Sequence, residues 1–256
     1  MEITIMTFNL RVDVPSDREN AWANRSDKAC DIIQKHDPCI IGIQEGLSYM
    51  LSDIEGRLGN YQYLGHGREA GNTGEHSAIF YKEDVFNVVN QGQFWLSEQP
   101  KVPGSKSWNS DFPRVCTWGH FQFKKYPEKE FFVYNTHLDH ISQEAREQGI
   151  RMIWEFISTH SPNDRPFFLT GDLNATPENS IIKFLHSKQQ LADAYSILRG
   201  DAGSTFHNFS GDTDGQPIDY IFAAKEVQLQ NTIVDRSKMN GSFPSDHYPV
   251  ILKATI

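Results

Sequence analysis

Apolar residues recur along this chain with two different periods. Short continuous or alternating runs at 3–8, 39–44, 77–82, 116–124, 131–136, 167–171, 218–224 and 249–255 read as strands. Between several of them the spacing changes to that of a helix. Ser26 precedes Ala29, Ile32 and Ile33, and Asp37-Pro38 halts the pattern, because a residue ahead of proline is pushed out of helical geometry; this predicts a helix over 26–36. Leu47, Leu51, Ile54 and Leu58 repeat at helical spacing up to Gly59, a natural stop, so the chain opens β-α-β-α. Ile150, Ile153, Trp154 and Ile157 form an apolar stripe behind Ser142, a plausible cap, and Thr176-Pro177 offers a cap followed by proline at the first helical position. So many short strands with few helices between them fit two stacked sheets flanked by helices better than one doubly wound parallel sheet.

Polar residues of a particular chemistry gather where these strands run out. Asn9 closes 3–8, Glu45 closes 39–44, His137 and Asp139 follow 131–136, Asp172 and Asn174 end 167–174, and Ser245-Asp246-His247 precede the last strand. A rigid sheet can hold such groups while the loop frees them from the core, which suits metal-assisted attack of water on a phosphate ester. Asp172 and Asn174 lie two apart and face the same way if the strand persists, with Leu173 turned to the core. Each residue read alone also has a plainer use. Glu45 fits an acid at the start of a helix over 46–58, Gly-Asp-x-Asn fits turn chemistry, and Asn9 and His137 fit ordinary hydrogen bonding at strand ends.

The ordered set Thr-Phe-Asn-Leu-Arg, Ile-Gln-Glu, Asn-Thr-His-Leu, Gly-Asp-Leu-Asn, Ile-Asp-Tyr-Ile-Phe and Ser-Asp-His-Tyr-Pro-Val resembles the endonuclease/exonuclease/phosphatase superfamily over residues 5 to 250. Ile-Asp-Tyr-Ile-Phe and Ser-Thr-Phe-His-Asn-Phe (204–209) are most similar to bacterial relatives of its deadenylase branch. The resemblance implies a four-layered α/β sandwich with the site at one edge, and a divalent cation, Mg²⁺ or Mn²⁺. It implies Glu45, with Asn9 and Asp246, on the metal side. Asp172 would position or deprotonate the attacking water, Asn174 would bind that water or the phosphate, and His137 and His247 would contact the phosphate. Asp219 is the candidate to orient His247, since a carboxylate on one ring nitrogen fixes the other. His76 occupies a position where relatives contact the phosphate. Asn135-x-His137-x-Asp139-His140 nearly matches the His-x-His-x-Asp-His of dizinc hydrolases, but Asn135 stands where the first histidine belongs.

Charge narrows the substrate. A net charge of −9 over 256 residues argues against tight sequence-independent binding to duplex nucleic acid, where Lys and Arg supply most of the affinity. Arg11, Arg25, Lys82 and Arg114 are candidates for a local basic rim, with ordinary ion pairs as the alternative for each. Trp108 sits in the most loop-like surroundings of the larger aromatic residues and, with His76 and Arg114, is a candidate for substrate contact. Phe94, Trp95, Trp118, Phe206 and Phe209 could stack bases, but aromatic residues make up 12% of the chain and most must fill the core.

No linker or charge run divides the chain, so one domain over 1–256 is expected. Cys30, Cys39 and Cys116 are odd in number and unpaired in pattern, which fits reduced thiols. No apolar run approaches the roughly 20 residues that span a bilayer. A cytoplasmic protein without membrane insertion or an obligate protein partner is the expectation. The functional reading is a metal-dependent phosphoesterase on single-stranded nucleic acid or a small phosphorylated molecule. A catalytically silent binding module is the alternative, against which every candidate residue is present.

Overall fold

The computed structural model describes residues 1–161 and 165–256. In chain order its elements are β1 (Glu2–Asn9), α1 (Ser26–His36), β2 (Ile40–Gln44), α2 (Ser48–Leu58), β3 (Tyr61–Leu64), β4 (Gly67–Glu69), β5 (Thr73–His76), β6 (Ile79–Lys82) and β7 (Phe86–Trp95). There follow β8 (Val115–Phe123), β9 (Glu130–His137), α3 (Gln143–His160), β10 (Phe167–Asp172), α4 (Ser180–His186), β11 (Leu191–Asp193), β12 (Asp219–Ala224), β13 (Gln228–Val234) and β14 (Val250–Thr255). One sheet runs β13-β14-β1-β2-β6-β3, a second runs β11-β12-β10-β9-β8-β7, and β4 pairs with β5 as a separate hairpin. The two sheets flanked by helices form the four-layered α/β sandwich.

Each sheet holds one parallel pair, β1 with β2 and β9 with β10, and their other ladders are antiparallel. Parallel neighbours need a crossover, and α1 and α3 supply it. The alternation in β1 shows how one strand serves two layers: Ile3 and Ile5 join the core between the sheets, while Met6 and Phe8 join Ile32 and Ile33 of α1 and Leu51 and Ile54 of α2. At the site end the seam between the sheets turns polar. Asn135 donates to the carbonyls of Ile43 (2.8 Å) and Ala78 (2.9 Å), and its Oδ1 accepts from Gln44 (2.7 Å) and Thr170 (3.0 Å). Asn135 therefore ties one sheet to the other.

Helix ends follow local chemistry with one exception. Asp37 and Gly59 end α1 and α2 in left-handed conformations, at φ 46° and 68°. Ser142 accepts from the Ala145 amide at 3.1 Å. The Thr176-Pro177 start is displaced: those residues form a turn, and Asn179 caps α4 instead by accepting from Ile181 at 3.1 Å. Cys30 and Cys116 are buried thiols, Cys39 is half-buried, and none is bonded. Among the described residues no helix is long and apolar enough to cross a membrane.

Candidate active site

The topology brings the polar strand ends to one edge. Asn9 and His137 are the last residues of β1 and β9, Asp172 is the last of β10, and Glu45 follows β2 directly. These are the carboxyl ends of the two parallel pairs, where open α/β sheets expose their loops. β14 and β12 run antiparallel to β1 and β10, so their leading ends reach the same edge with Asp246, His247 and Asp219. Asp172 stands in register with His137 on one side and Asp219 on the other.

Hydrogen bonds join these groups across the sheets. Asn9 Nδ2 donates to Glu45 Oε1 at 2.9 Å and to Asp172 Oδ2 at 3.0 Å, while its Oδ1 accepts from the Arg11 amide. Asn9 thus braces both carboxylates from beneath. Glu45 Oε2 accepts from the Val12 amide at 2.7 Å. Glu45 holds φ 61°, a left-handed backbone that costs a non-glycine residue ~1–2 kcal/mol and that these two bonds fix in place. The strand does not continue through residue 174: Asn174 turns to φ 47°, its amide donates to Asp172 Oδ1 at 2.9 Å, and its Nδ2 donates to the Leu138 carbonyl and to His137 Nε2, both at 3.0 Å. Asp219 Oδ2 lies 2.9 Å from His247 Nδ1, the expected orienting contact.

Burial and neighbouring charge set the protonation states. Burial, then the charge of Asp219, raises the proton affinity of Asp172, against the opposing charge of His247. For His247 burial opposes the imidazolium, but Asp219 by charge and hydrogen bond, followed by Asp172 and Asp246, pushes it up to about 10. Burial, then Arg114 and Arg68, hold His137 well below its ordinary value, so it is neutral near pH 7. Glu45 is drawn below its usual range: burial would raise it, but the Asn9 and Val12 hydrogen bonds and the charges of His247 and Arg11 prevail.

Glu45, His137 and Asp172 each offer a donor atom within 4.8 Å of the others. The two carboxylates fit a hard, oxygen-seeking divalent cation such as Mg²⁺ or Mn²⁺, while His137 Nε2 is already occupied by the Asn174 side-chain amide. Asp172, Asp219 and His247 form a second such group, but the proton shared between His247 and Asp219 makes it a hydrogen-bonded chain. Asp246 lies in the same cleft with Oδ2 3.8 Å from Arg11 Nε, outside both groups. The dizinc pattern is dispersed. Asn135 sits in the intersheet seam, and Asp139 anchors loops by accepting from Ser110 Oγ and the amides of Asp111, Ile141 and Ser142.

The groups face a cleft of about 440 Å³. Arg11 lines it, paired with Asp17 at 2.8 and 3.0 Å, and so does Arg114. Two rim candidates lie elsewhere: the Arg25 guanidinium is buried and spent on the carbonyls of Leu10, Arg11, Asn20 and Pro244, and buried Lys82 pairs with Asp37. Trp108 does not line the cleft; its carbonyl accepts from Ser142 Oγ at 2.6 Å. His76 is buried against the Gly46 carbonyl, in a crevice behind Glu45 and His137. Phe206, 43% exposed, lines the cleft beside His247, whose ring centroid is 5.1 Å away. Arg68, Glu75, Phe112 and His140 also line it. Arg68 and Glu75 went unseen in the sequence because they belong to the β4–β5 hairpin, whose glycine-rich turn carries no apolar period; charges of opposite sign flanking that turn were the available signal.

The profile of the Endonuclease/Exonuclease/phosphatase family matches residues 6–247. A mannosyl-6-phosphatase of Bacteroides thetaiotaomicron VPI-5482 is 35% identical, with a TM-score of 0.93 over 99% of this chain and 100% of that one. The human Nocturnin catalytic domain, with bound sulfate, shares the fold at 19% identity and a TM-score of 0.77, over 99% of this chain and 93% of that one. Protein angel of Drosophila melanogaster is 30% identical over an alignment of 184 residues that covers 68% of this chain and 49% of that protein, so the match spans about half its length.

Proposed function

This chain belongs to the Endonuclease/Exonuclease/phosphatase family, and from that premise we propose that it is a divalent-metal-dependent hydrolase of a small phosphorylated molecule. The observation that carries the reading is the continuous chain Glu45–Asn9–Asp172 beside Asp219–His247, with all five groups fixed before any substrate arrives. Mg²⁺ or Mn²⁺ held by Glu45, with Asp172 in reach, would supply the Lewis acid that polarises a phosphoryl oxygen and steadies the leaving alkoxide.

The side chains divide the remaining work. Asp172, its proton affinity raised, positions a water for in-line attack and accepts its proton. His247, kept cationic by Asp219, donates to a phosphate oxygen, and Asn174 and His137 contact the phosphate from the opposite sheet. No covalent enzyme intermediate is required.

Three features favour a small substrate: the cleft measures about 440 Å³, the net charge is −9, and the relative with 35% identity is a mannosyl-6-phosphatase. Phe112 and Phe206, 41% and 43% exposed beside the cleft, favour a second reading in which bases of a single strand stack there. The test is turnover of sugar 6-phosphates, p-nitrophenyl phosphate, bis-p-nitrophenyl phosphate, poly(A) and single-stranded DNA, with Mg²⁺, Mn²⁺ or chelator. We expect metal-dependent release of phosphate from a sugar phosphate, abolished in Glu45→Ala and His247→Ala. Preference for poly(A) or DNA would establish the second reading, and inertness toward all substrates would leave a binding module.

A further inference from the structure

One end of the cleft carries more cationic chemistry than the fold requires. Arg114 is buried, 5% exposed, and lines both the main cleft and the crevice it shares with Arg68, Glu45 and His137. Among the described residues its Nε and Nη1 have no hydrogen-bond partner, and Nη2 reaches only His140 Nδ1, at 3.2 Å. Its nearest acid cannot absorb these donors: Asp139 stands 3.7 Å from Nε and already accepts from Ser110, Asp111, Ile141 and Ser142. Glu75 is likewise engaged, in a two-pronged pair with Arg68 at 2.7 and 2.8 Å. Phe112 lies 4.6 Å from the Arg68 guanidinium and 5.9 Å from that of Arg114, an apolar cover over both. A buried guanidinium with idle donors is an expensive arrangement unless an anion completes it.

We propose that Arg114, backed by Arg68, forms the subsite for the outer oxygens of a phosphomonoester dianion, so that the protein cleaves monoesters and discriminates against diesters. The proposal deepens the phosphoesterase reading and rests on it. The geometry gives the reason. Arg114 lines the main cleft together with Glu45, Asp172, Asn174 and His247, so its side chain borders the place of the phosphoryl group itself, not a distant part of the substrate. A monoester presents three free oxygens and up to two negative charges. A diester presents two free oxygens and one charge, and its third oxygen is esterified and carries a second carbon substituent. A planar guanidinium rewards the first and meets an uncharged, alkylated oxygen in the second. The pair also balances the cleft, whose carboxylates Glu45, Asp172 and Asp246 would otherwise repel a dianion.

Calorimetric titration with inorganic phosphate and with dimethyl phosphate, in the presence of Mg²⁺, decides the matter on the unmodified protein. Phosphate should bind at least roughly tenfold more tightly, about 1.4 kcal/mol; equal affinities would overturn the proposal. In Arg114→Gln, with folding checked by thermal unfolding, phosphate affinity should fall at least tenfold while that for dimethyl phosphate changes little. An equal loss for both would reduce Arg114 to a structural residue and overturn it too. Arg114→Lys should fall between the two, keeping the charge but not the fork. In turnover, kcat/KM for p-nitrophenyl phosphate should exceed that for bis-p-nitrophenyl phosphate, and Arg114→Gln should narrow the ratio. Absence of turnover on both esters and on the sugar phosphates would sink the phosphoesterase reading, and the phosphate titrations would then still decide the subsite.

Discussion

At the scale of single residues, function here depends on buried charges that hold each other's protonation states. His247 illustrates the balance, since burial alone would strip its proton and only Asp219, Asp172 and Asp246 keep it, up to about pH 10. A histidine whose folded pKa is raised contributes stability fully present below its unfolded value near ~6.5, and that contribution is lost as pH rises through the folded value. Replacing Asp219 with Asn removes the largest favourable partner, so the imidazole should titrate at lower pH. NMR titration of the His247 ring should register that shift. The alkaline limb of kcat should move down with it, and turnover near neutrality should drop by roughly 10²-fold or more. An unmoved His247 titration in Asp219→Asn would show that the contact does not set its charge.

At the scale of elements, the caps and pairs that end helices also place the loops around the site. Ser142 both caps α3 and donates to the Trp108 carbonyl, so Ser142→Ala should cost ~1 kcal/mol in thermal unfolding and loosen the loop leading to Phe112 and Arg114. The far end of α1 is held by Asp235, which accepts from Lys35 at 2.7 Å and lies 2.6 Å from His36 Nε2. Burial would raise the Asp235 pKa, but the bonds from His36, Lys35 and Ser237 pull it well down, so its contribution is present above the unfolded value near ~3.9 and fades as pH falls below it. Asp235→Asn should therefore lose about 1–3 kcal/mol at neutral pH and little in strong acid, as urea titrations across pH would reveal.

Legibility in the sequence followed position within the sheets. Every interior strand announced itself, because two buried faces or one strongly buried face demand apolar runs. The strands that went unread include β13, β3, β11 and β7, which are the outer strands of the two sheets. β7 reads Phe-Asn-Val-Val-Asn-Gln-Gly-Gln-Phe-Trp, as an edge that must discourage further pairing reads, and polar residues there erase the period. The site divides the same way. Asn9, His137, Asp172 and Asp219 are termini of interior strands, Glu45 directly follows one, and all five stood out, whereas Arg68, Glu75 and Phe112 come from a hairpin and a loop outside both sheets.

For the whole molecule, the decisive feature is that the site is shared between two sheets which, among the described residues, have no ladder in common. Asn9 and Glu45 come from one sheet and His137 and Asp172 from the other, so the 3.0 Å bond from Asn9 to Asp172 measures their alignment. That alignment is set just behind the site, where Gly42 faces Thr170 and Asn135: a Cβ on residue 42 would stand 2.2 Å from Thr170 Oγ1 and 2.6 Å from Asn135 Oδ1. Neither atom can retreat freely, because Asn135 holds Gln44, Thr170 and two carbonyls in a closed network. Gly42→Ala should therefore force the sheets apart locally, costing about 1–3 kcal/mol, and should depress kcat in the folded fraction as well. Ile33→Val, on α1 against the outer face of the first sheet, should cost about 1 kcal/mol and leave kcat unchanged, because that layer carries none of the alignment. Measuring unfolding and turnover on both variants separates the two roles. If Gly42→Ala lost stability while keeping full turnover, the seam would be a matter of packing alone and the catalytic geometry would be set within each sheet.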